Sequence, residues 1–117
     1  MRNFQQLAIW QKSHNLTLKI YTLTRSFPKD EIFGLISQMR RSSSSIPTNI
    51  AEGCGRNSNT ELKRFLVIAA GSASELQYQF QLSKDLQYIT QPLFQQLDNE
   101  ISSIRKMIYR FHAKIES

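Results

Sequence analysis

Cysteine is nearly missing from this chain: Cys54 stands alone in 117 residues. An internal disulfide is therefore excluded, and nothing demands an oxidising compartment. Glycine (four) and proline (three) are also scarce, and 40% of the residues are hydrophobic. That composition excludes disorder and favours continuous secondary structure. Long apolar runs are absent: the longest, Phe65 to Ala70, is far too short to span a bilayer. The stretch Met1 to Gln6 has no apolar core of signal-peptide length. The expectation is a cytoplasmic protein, neither secreted nor embedded, with no membrane partner. Acidic residues are outnumbered, nine against fifteen Lys and Arg, which leaves a net charge of +6. A polyanion becomes a plausible partner, and the length predicts one domain over residues 1–117.

What is present is a 3-4 spacing of apolar residues, the signature of one buried stripe on a helix. It occurs four times. Ile9, Ser13, Leu16, Ile20, Leu23 and Phe27 predict a first helix from about Asn3 to Ser26, ended by Pro28. Asp30 and Glu31 open a second, whose stripe is Ile32, Ile36, Met39, Ser43, Ile46 and Ile50 and which stops at Gly53 and Gly55. Pro47 lies inside it and predicts a kinked but continuous helix. The caps at Asn57–Thr60 start a third, with its stripe on Leu62, Leu66, Ala69, Ala73, Leu76 and Phe80 and its end near Tyr88. After Pro92, Leu97, Ile101, Ile104, Ile108, Phe111 and Ile115 form the fourth. The expected fold is an all-α, antiparallel up-down four-helix bundle. Pairing helices two and three about their short loop sets residue i opposite about 112 minus i, which matches core to core. It also sets Ser42–Ser45 against the small residues Val67–Ser74, predicting a tight waist.

Catalytic and metal constellations are missing. His14, His112 and Cys54 form no ligand pattern, so no metal or other cofactor is expected. Ser103-Ile104-Arg105-Lys106 has the form S-x-x-K without its companion motifs. Gly53-Cys54-Gly55-Arg56 reads as a helix C-cap and turn rather than a phosphate loop. Glu52 and Glu75 fall near helix cores, where structural hydrogen bonds with neighbours such as Arg40, Arg41 and Asn49 are the preferred role over general-base catalysis.

Basic residues cluster more informatively. Lys106, Arg110 and Lys114 recur on one face of the last helix; Arg56, Lys63 and Arg64 gather at the start of the third; Arg40 and Arg41 form a third group. These are the candidate phosphate contacts, set against the alternative of a merely solvated face, since no interleaving with aromatic residues and no recognised reading motif accompanies them. On helix one, Phe4, Leu7, Trp10, Leu18 and Tyr21 project away from the main stripe, and Val67, Tyr78 and Leu82 do so on helix three. Surplus apolar surface of this kind predicts self-association.

Several linked motifs carry a resemblance: Leu7-Ala8-Ile9-Trp10-Gln11-Lys12, Phe27-Pro28-x-x-Glu31, Ser37-Gln38-Met39-Arg40-Arg41, Ser45-Ile46-Pro47-x-Asn49-Ile50-Ala51-Glu52-Gly53, Arg56, and Ala70-Gly71-Ser72-x-x-Glu75-Leu76. Over nearly its full length the chain resembles the four helix bundle proteins encoded in intervening sequences of bacterial large-subunit ribosomal RNA genes. Ser42 stands where the family usually has Ala. The resemblance implies a ring-like homo-oligomer, typically a pentamer, and a link to the accessory protein of diversity-generating retroelements, a partner of nucleic acid and reverse transcriptase. It gives Arg40, Arg41, Asn49 and Glu52 structural or interfacial roles and no catalytic one. The leading expectation is a non-enzymatic oligomeric scaffold or adaptor that binds RNA or DNA through basic helix faces. The alternative is a protein-interaction module that partners a reverse transcriptase or other protein without touching nucleic acid, and a small hydrolase using Glu52 or Glu75 is the minor reading.

Overall fold

A computed structural model describes residues 2–116. It contains helices α1 (Ala8–Thr24), α2 (Leu35–Cys54), α3 (Asn59–Asp85) and α4 (Gln91–Lys114). They form the expected up-down bundle, 44 × 24 × 20 Å. Each helix packs on the next and α4 returns to α1; α2 and α3 share the most extensive interface, α1 and α4 the sparsest. The starts of the two long helices follow from local chemistry. Ser58 Oγ accepts the Glu61 N–H at 3.1 Å, and Thr90 Oγ1 accepts the Leu93 N–H at 3.3 Å, with Pro92 in the first turn of α4. The predicted stripes meet in one core, with Leu16, Ile20, Leu66, Leu76, Phe80 and Ile101 among its fully buried members.

Two helix starts differ from expectation. The chain before α1 is not helical throughout: Phe4–Gln6 form a short 3-10 turn, and Leu7 is extended. Asn3 accepts the Gln5 N–H there and thereby favours a separate turn. Likewise Lys29–Glu31 form only a 3-10 turn, and α2 begins at Leu35. The break puts Ile32 out of phase with the stripe, so it is half-exposed and Phe33 almost wholly exposed, while Leu35 is buried instead. Glu31 replaces a conventional cap. Its Oε1 accepts the Leu35 N–H at 3.2 Å and its Oε2 accepts the Tyr88 hydroxyl at 2.8 Å, which ties the start of α2 to the end of α3. Helix α3 itself stops three residues earlier than Tyr88, before Gln87, which takes a left-handed φ of 65°.

Helix α2 runs unbroken through Pro47. Proline has no N–H, so the Ser43 carbonyl loses its usual partner four residues on. Thr17 of α1 fills the vacancy: its Oγ1 lies 3.0 Å from Ser43 O and 2.8 Å from Ser13 O, and its one hydrogen is shared between the two carbonyls. The hydroxyl is buried, as a substitute for a backbone bond must be.

The close approach of α2 and α3 is present, in a different register. Ser45 meets Ser72 at 2.8 Å, and Ser42 donates to Gln79 Oε1 at 2.6 Å. A Cβ on Gly53 would lie 2.9 Å from Phe65 Cβ, so that glycine is required by proximity. These partners lie about one and a half to two and a half turns further along α3 than the 112-minus-i rule put them. Side chains on both helices lean toward their own N-termini, which displaces contacts in that direction in an antiparallel pair. A stripe on 3-4 spacing nearly repeats after one heptad, so core-to-core matching does not distinguish such registers. Gly71 is also absent from the waist: it is exposed, and a Cβ there would meet nothing within 4 Å.

Candidate nucleic-acid interface

Helix α4 changes character halfway. Its first half carries Asp98 and Glu100; between Glu100 and Glu116 stand Arg105, Lys106, Arg110 and Lys114 without one acidic residue. The isoleucine stripe turns inward against the core, so all four cations are exposed. Among the described residues, the ion pairs are Lys19–Glu100, Arg56–Glu52 and Arg64–Glu61, which leaves Lys106, Arg110 and Lys114 with no acidic partner.

Arg105, Lys106 and Arg110 flank a groove of about 530 Å³ between α3 and α4, lined by Ala70, Gly71 and Ser74 on one side and by these cations with Tyr109 on the other. Gln77 sets its register. Its Nε2 donates to Asp98 Oδ1 at 2.9 Å and to Ser102 Oγ at 3.3 Å, and its Oε1 accepts Arg105 Nη1 at 2.6 Å. Arg105 is thus held beside the groove rather than left to sweep the surface. Tyr109, 77% exposed, stands between Lys106 and Arg110 with its ring in solvent.

The second basic group is more heavily engaged. Arg56 and Arg64 lie over the ring of Phe65, at 5.0 and 4.5 Å from its centroid. Arg64 also forms a two-pronged contact with Glu61, Nε–Oε2 2.9 Å and Nη2–Oε1 3.2 Å, which lowers the Glu61 pKa and raises that of Arg64. Lys63 lies beside them, half-buried. Because α3 and α4 are antiparallel, this group sits at the end of the bundle where α4 finishes with Lys114. Arg40 and Arg41 do not join it. Arg40 is fastened to α1: its Nε donates to Thr24 Oγ1 at 3.0 Å, its Nη2 to Tyr21 O at 3.3 Å, and its guanidinium lies 4.8 Å over the Tyr21 ring. Arg41 is exposed.

The proposed interface residues of α1 and the segment before it divide. Phe4, Leu7 and Trp10 are half-buried against the chain's own core, with Phe4 edge-on to Trp10 at 5.0 Å and His14 stacked on Trp10 at 4.9 Å. The N-terminal segment folds back over this region, and the Arg2 N–H bonds Cys54 O at 3.1 Å. Only Leu18 and Tyr21 remain exposed, together with Val67, Ile68 and Tyr78 of α3, while Leu82 packs on the core.

Glu52 and Glu75 are not near the core. Both are exposed, and Glu52 reaches only its neighbour Arg56, at 3.6 Å. A carboxylate so placed avoids the desolvation that a buried one would suffer. Asn49 does serve the structure, through Nδ2 bonds to Ser45 O at 2.8 Å and Ser45 Oγ at 2.9 Å. Cys54 is buried beside the N-terminal segment, and burial pushes its thiol pKa up. Among the described residues no three His, Cys, Asp or Glu side chains come together as a metal site would require.

Sequence reasoning passed over Tyr109, Arg105 and Gln77. The signal was present: Lys106, Tyr109 and Arg110 are spaced i, i+3, i+4, which places an aromatic ring and two cations on one patch of helix. Aromatic residues and charge do interleave here, contrary to expectation.

Residues 5–110 match the family model of the 23S rRNA-intervening sequence protein. Among solved structures, the chain is similar to a protein with unknown function from the S23 ribosomal protein family of Bacteroides thetaiotaomicron. The two share 25% identity at a TM-score of 0.81, over 90% of this chain and 98% of that one. No curated protein matches. Helix pattern, bundle topology and a match over nearly the whole length agree: the chain belongs to the 23S rRNA-intervening sequence protein family.

Proposed function

We propose that this protein is a non-enzymatic scaffold that binds RNA through the exposed face shared by α3 and α4 and acts as one subunit of a ring-like homo-oligomer in the cytoplasm. The observation that carries the reading is the acid-free run of α4, whose Lys106, Arg110 and Lys114 stand in solvent without carboxylate partners, the first two beside a groove. Such cations would release the counterions condensed on RNA phosphates as they neutralise them, and none of these three has an internal ion pair to break first. Assembly is supported by Leu18, Tyr21, Val67, Ile68 and Tyr78, apolar residues that one bundle leaves in water. No helix among the described residues is long and apolar enough to cross a membrane. Retention on immobilised RNA across a salt series tests the reading: retention at low salt that fades with added salt is expected, and no retention at low salt refutes it.

A second reading has its own observation. Phe33 is 93% exposed and Ile32 lies beside it, at the end of the bundle away from the cationic groove. An apolar tip of this kind suits a protein partner such as a reverse transcriptase. Capture of that partner after nuclease treatment, and its loss on Phe33→Ser, distinguishes this role from RNA binding.

A further inference from the structure

Gly71 is an anomaly on the surface of α3. Glycine in a helix interior costs about 1 kcal/mol relative to alanine, and it is usually repaid by close packing, as at Gly53, where a Cβ would strike Phe65. Nothing among the described residues repays it at Gly71, because a Cβ there would meet no atom within 4 Å. Yet Gly71 lies in the groove floor with Ala70 and Ser74, directly across from Tyr109, Lys106, Arg105 and Arg110. The floor is therefore lowered, one wall is an unpartnered aromatic ring, and the rim is cationic with no carboxylate among the lining residues. The groove volume, about 530 Å³, lies within the usual range of pockets that take a small ligand.

Resting on the RNA-binding reading above, we propose that this groove receives an unpaired nucleotide of single-stranded RNA: the base stacks on Tyr109 over the floor at Gly71, and the flanking phosphates engage Lys106 and Arg110. A duplex has no use for an exposed ring, because its bases are already stacked, whereas single strands are held by aromatic platforms beside cations. Arg105 lies in the same rim, held by Gln77 Oε1 at 2.6 Å, so one cation is oriented before the strand arrives. Gln77 is a positioning residue for it. The charge of the rim alone would favour any polyanion; the ring and the lowered floor select one whose bases are free.

The test is the affinity of the full chain for a short single-stranded oligouridylate and for an RNA duplex of the same length, at one low salt concentration. The single strand should bind more tightly. Tyr109→Ala should weaken single-strand binding about 5- to 150-fold, the range expected for loss of one stacked base, with Tyr109→Phe retaining it and duplex binding little changed. Gly71→Leu raises the floor at a site where the side chain enters open space and leucine is the better helix former. It should reduce single-strand binding comparably while the melting temperature does not fall. If the chain binds RNA but Tyr109→Ala binds the single strand as tightly as wild type, the inference fails while the RNA-binding reading stands. If Gly71→Leu instead changes the oligomeric mass, the glycine serves contact between copies and the proposal is overturned. If neither RNA binds at low salt, the underlying reading fails as well.

Discussion

Replacing Thr17 by valine removes one hydroxyl and almost no volume, yet it should expose the weak point of α2. The hydroxyl donates to Ser43 O at 3.0 Å, and that carbonyl has no N–H four residues on because Pro47 stands there. Ser13 O, the other acceptor at 2.8 Å, keeps the ordinary helical partner of its position and loses less. Thr17 and Ser43 are both buried, so water does not readily replace the lost bond. An unsatisfied buried acceptor costs about 1–3 kcal/mol, and for a domain of this size each kcal/mol lowers the melting temperature by about 4 °C. Thr17→Val should therefore melt about 4–12 °C below wild type when followed by circular dichroism. The decisive form is a double-mutant cycle with Pro47→Ala. Alanine restores an N–H for Ser43 O, so Thr17→Val should cost markedly less in that background, with a coupling of about 1 kcal/mol or more. Equal costs in the two backgrounds would refute the pairing of Thr17 with the proline-orphaned carbonyl.

Other outcomes follow from the same packing. Gly53→Ala should cost about 1–3 kcal/mol by thermal or urea unfolding, because its methyl would sit 2.9 Å from Phe65 Cβ where α2 and α3 come close; an unchanged midpoint would contradict that close approach. Tyr88 donates to the Glu31 carboxylate, and this bond raises its pKa above the ordinary value near 10. A raised folded-state pKa stabilises below the unfolded value and is lost as pH climbs through the folded one. Wild type should thus lose more stability than Tyr88→Phe when unfolding is compared at neutral pH and above pH 10, and parallel losses would count against the bond. Size-exclusion chromatography with light scattering should find an oligomer at micromolar concentration. A clean monomer would leave Leu18, Tyr21, Val67, Ile68 and Tyr78 without the occupant proposed for them.

The helices were legible because apolar spacing reports burial directly. Ile9, Leu16, Leu66, Ile101 and Ile108 are all where that spacing put them. What spacing does not report is where a helix begins when a side chain far from the standard cap position does the capping. Glu31 caps α2 across Gly34, and so Ile32, in phase on paper, lies outside the stripe. Register was illegible for a related reason, since a heptad-like pattern resembles itself after a slip. The proposed RNA-binding surface was half legible. Lys106, Arg110 and Lys114 stood out by charge, but Arg40 looked equivalent and is instead bound to Thr24, Tyr21 O and the Tyr21 ring. Only tertiary contacts separate a committed cation from an available one. Phe4, Leu7 and Trp10 show the converse, for a short turn that folds back gave them a core to pack on.

RNA affinity as a function of salt, for wild type and for Lys106→Ala/Arg110→Ala/Lys114→Ala together, bears most directly on the claim that this family member contacts phosphates through α4. Each phosphate contact contributes about 0.7 to 0.9 to the slope of log affinity against log salt. Wild type should show a steep slope and the variant a slope shallower by about two to three, with weaker binding across RNA sequences. Identical slopes and affinities for the two proteins would place the interface elsewhere and contradict the account.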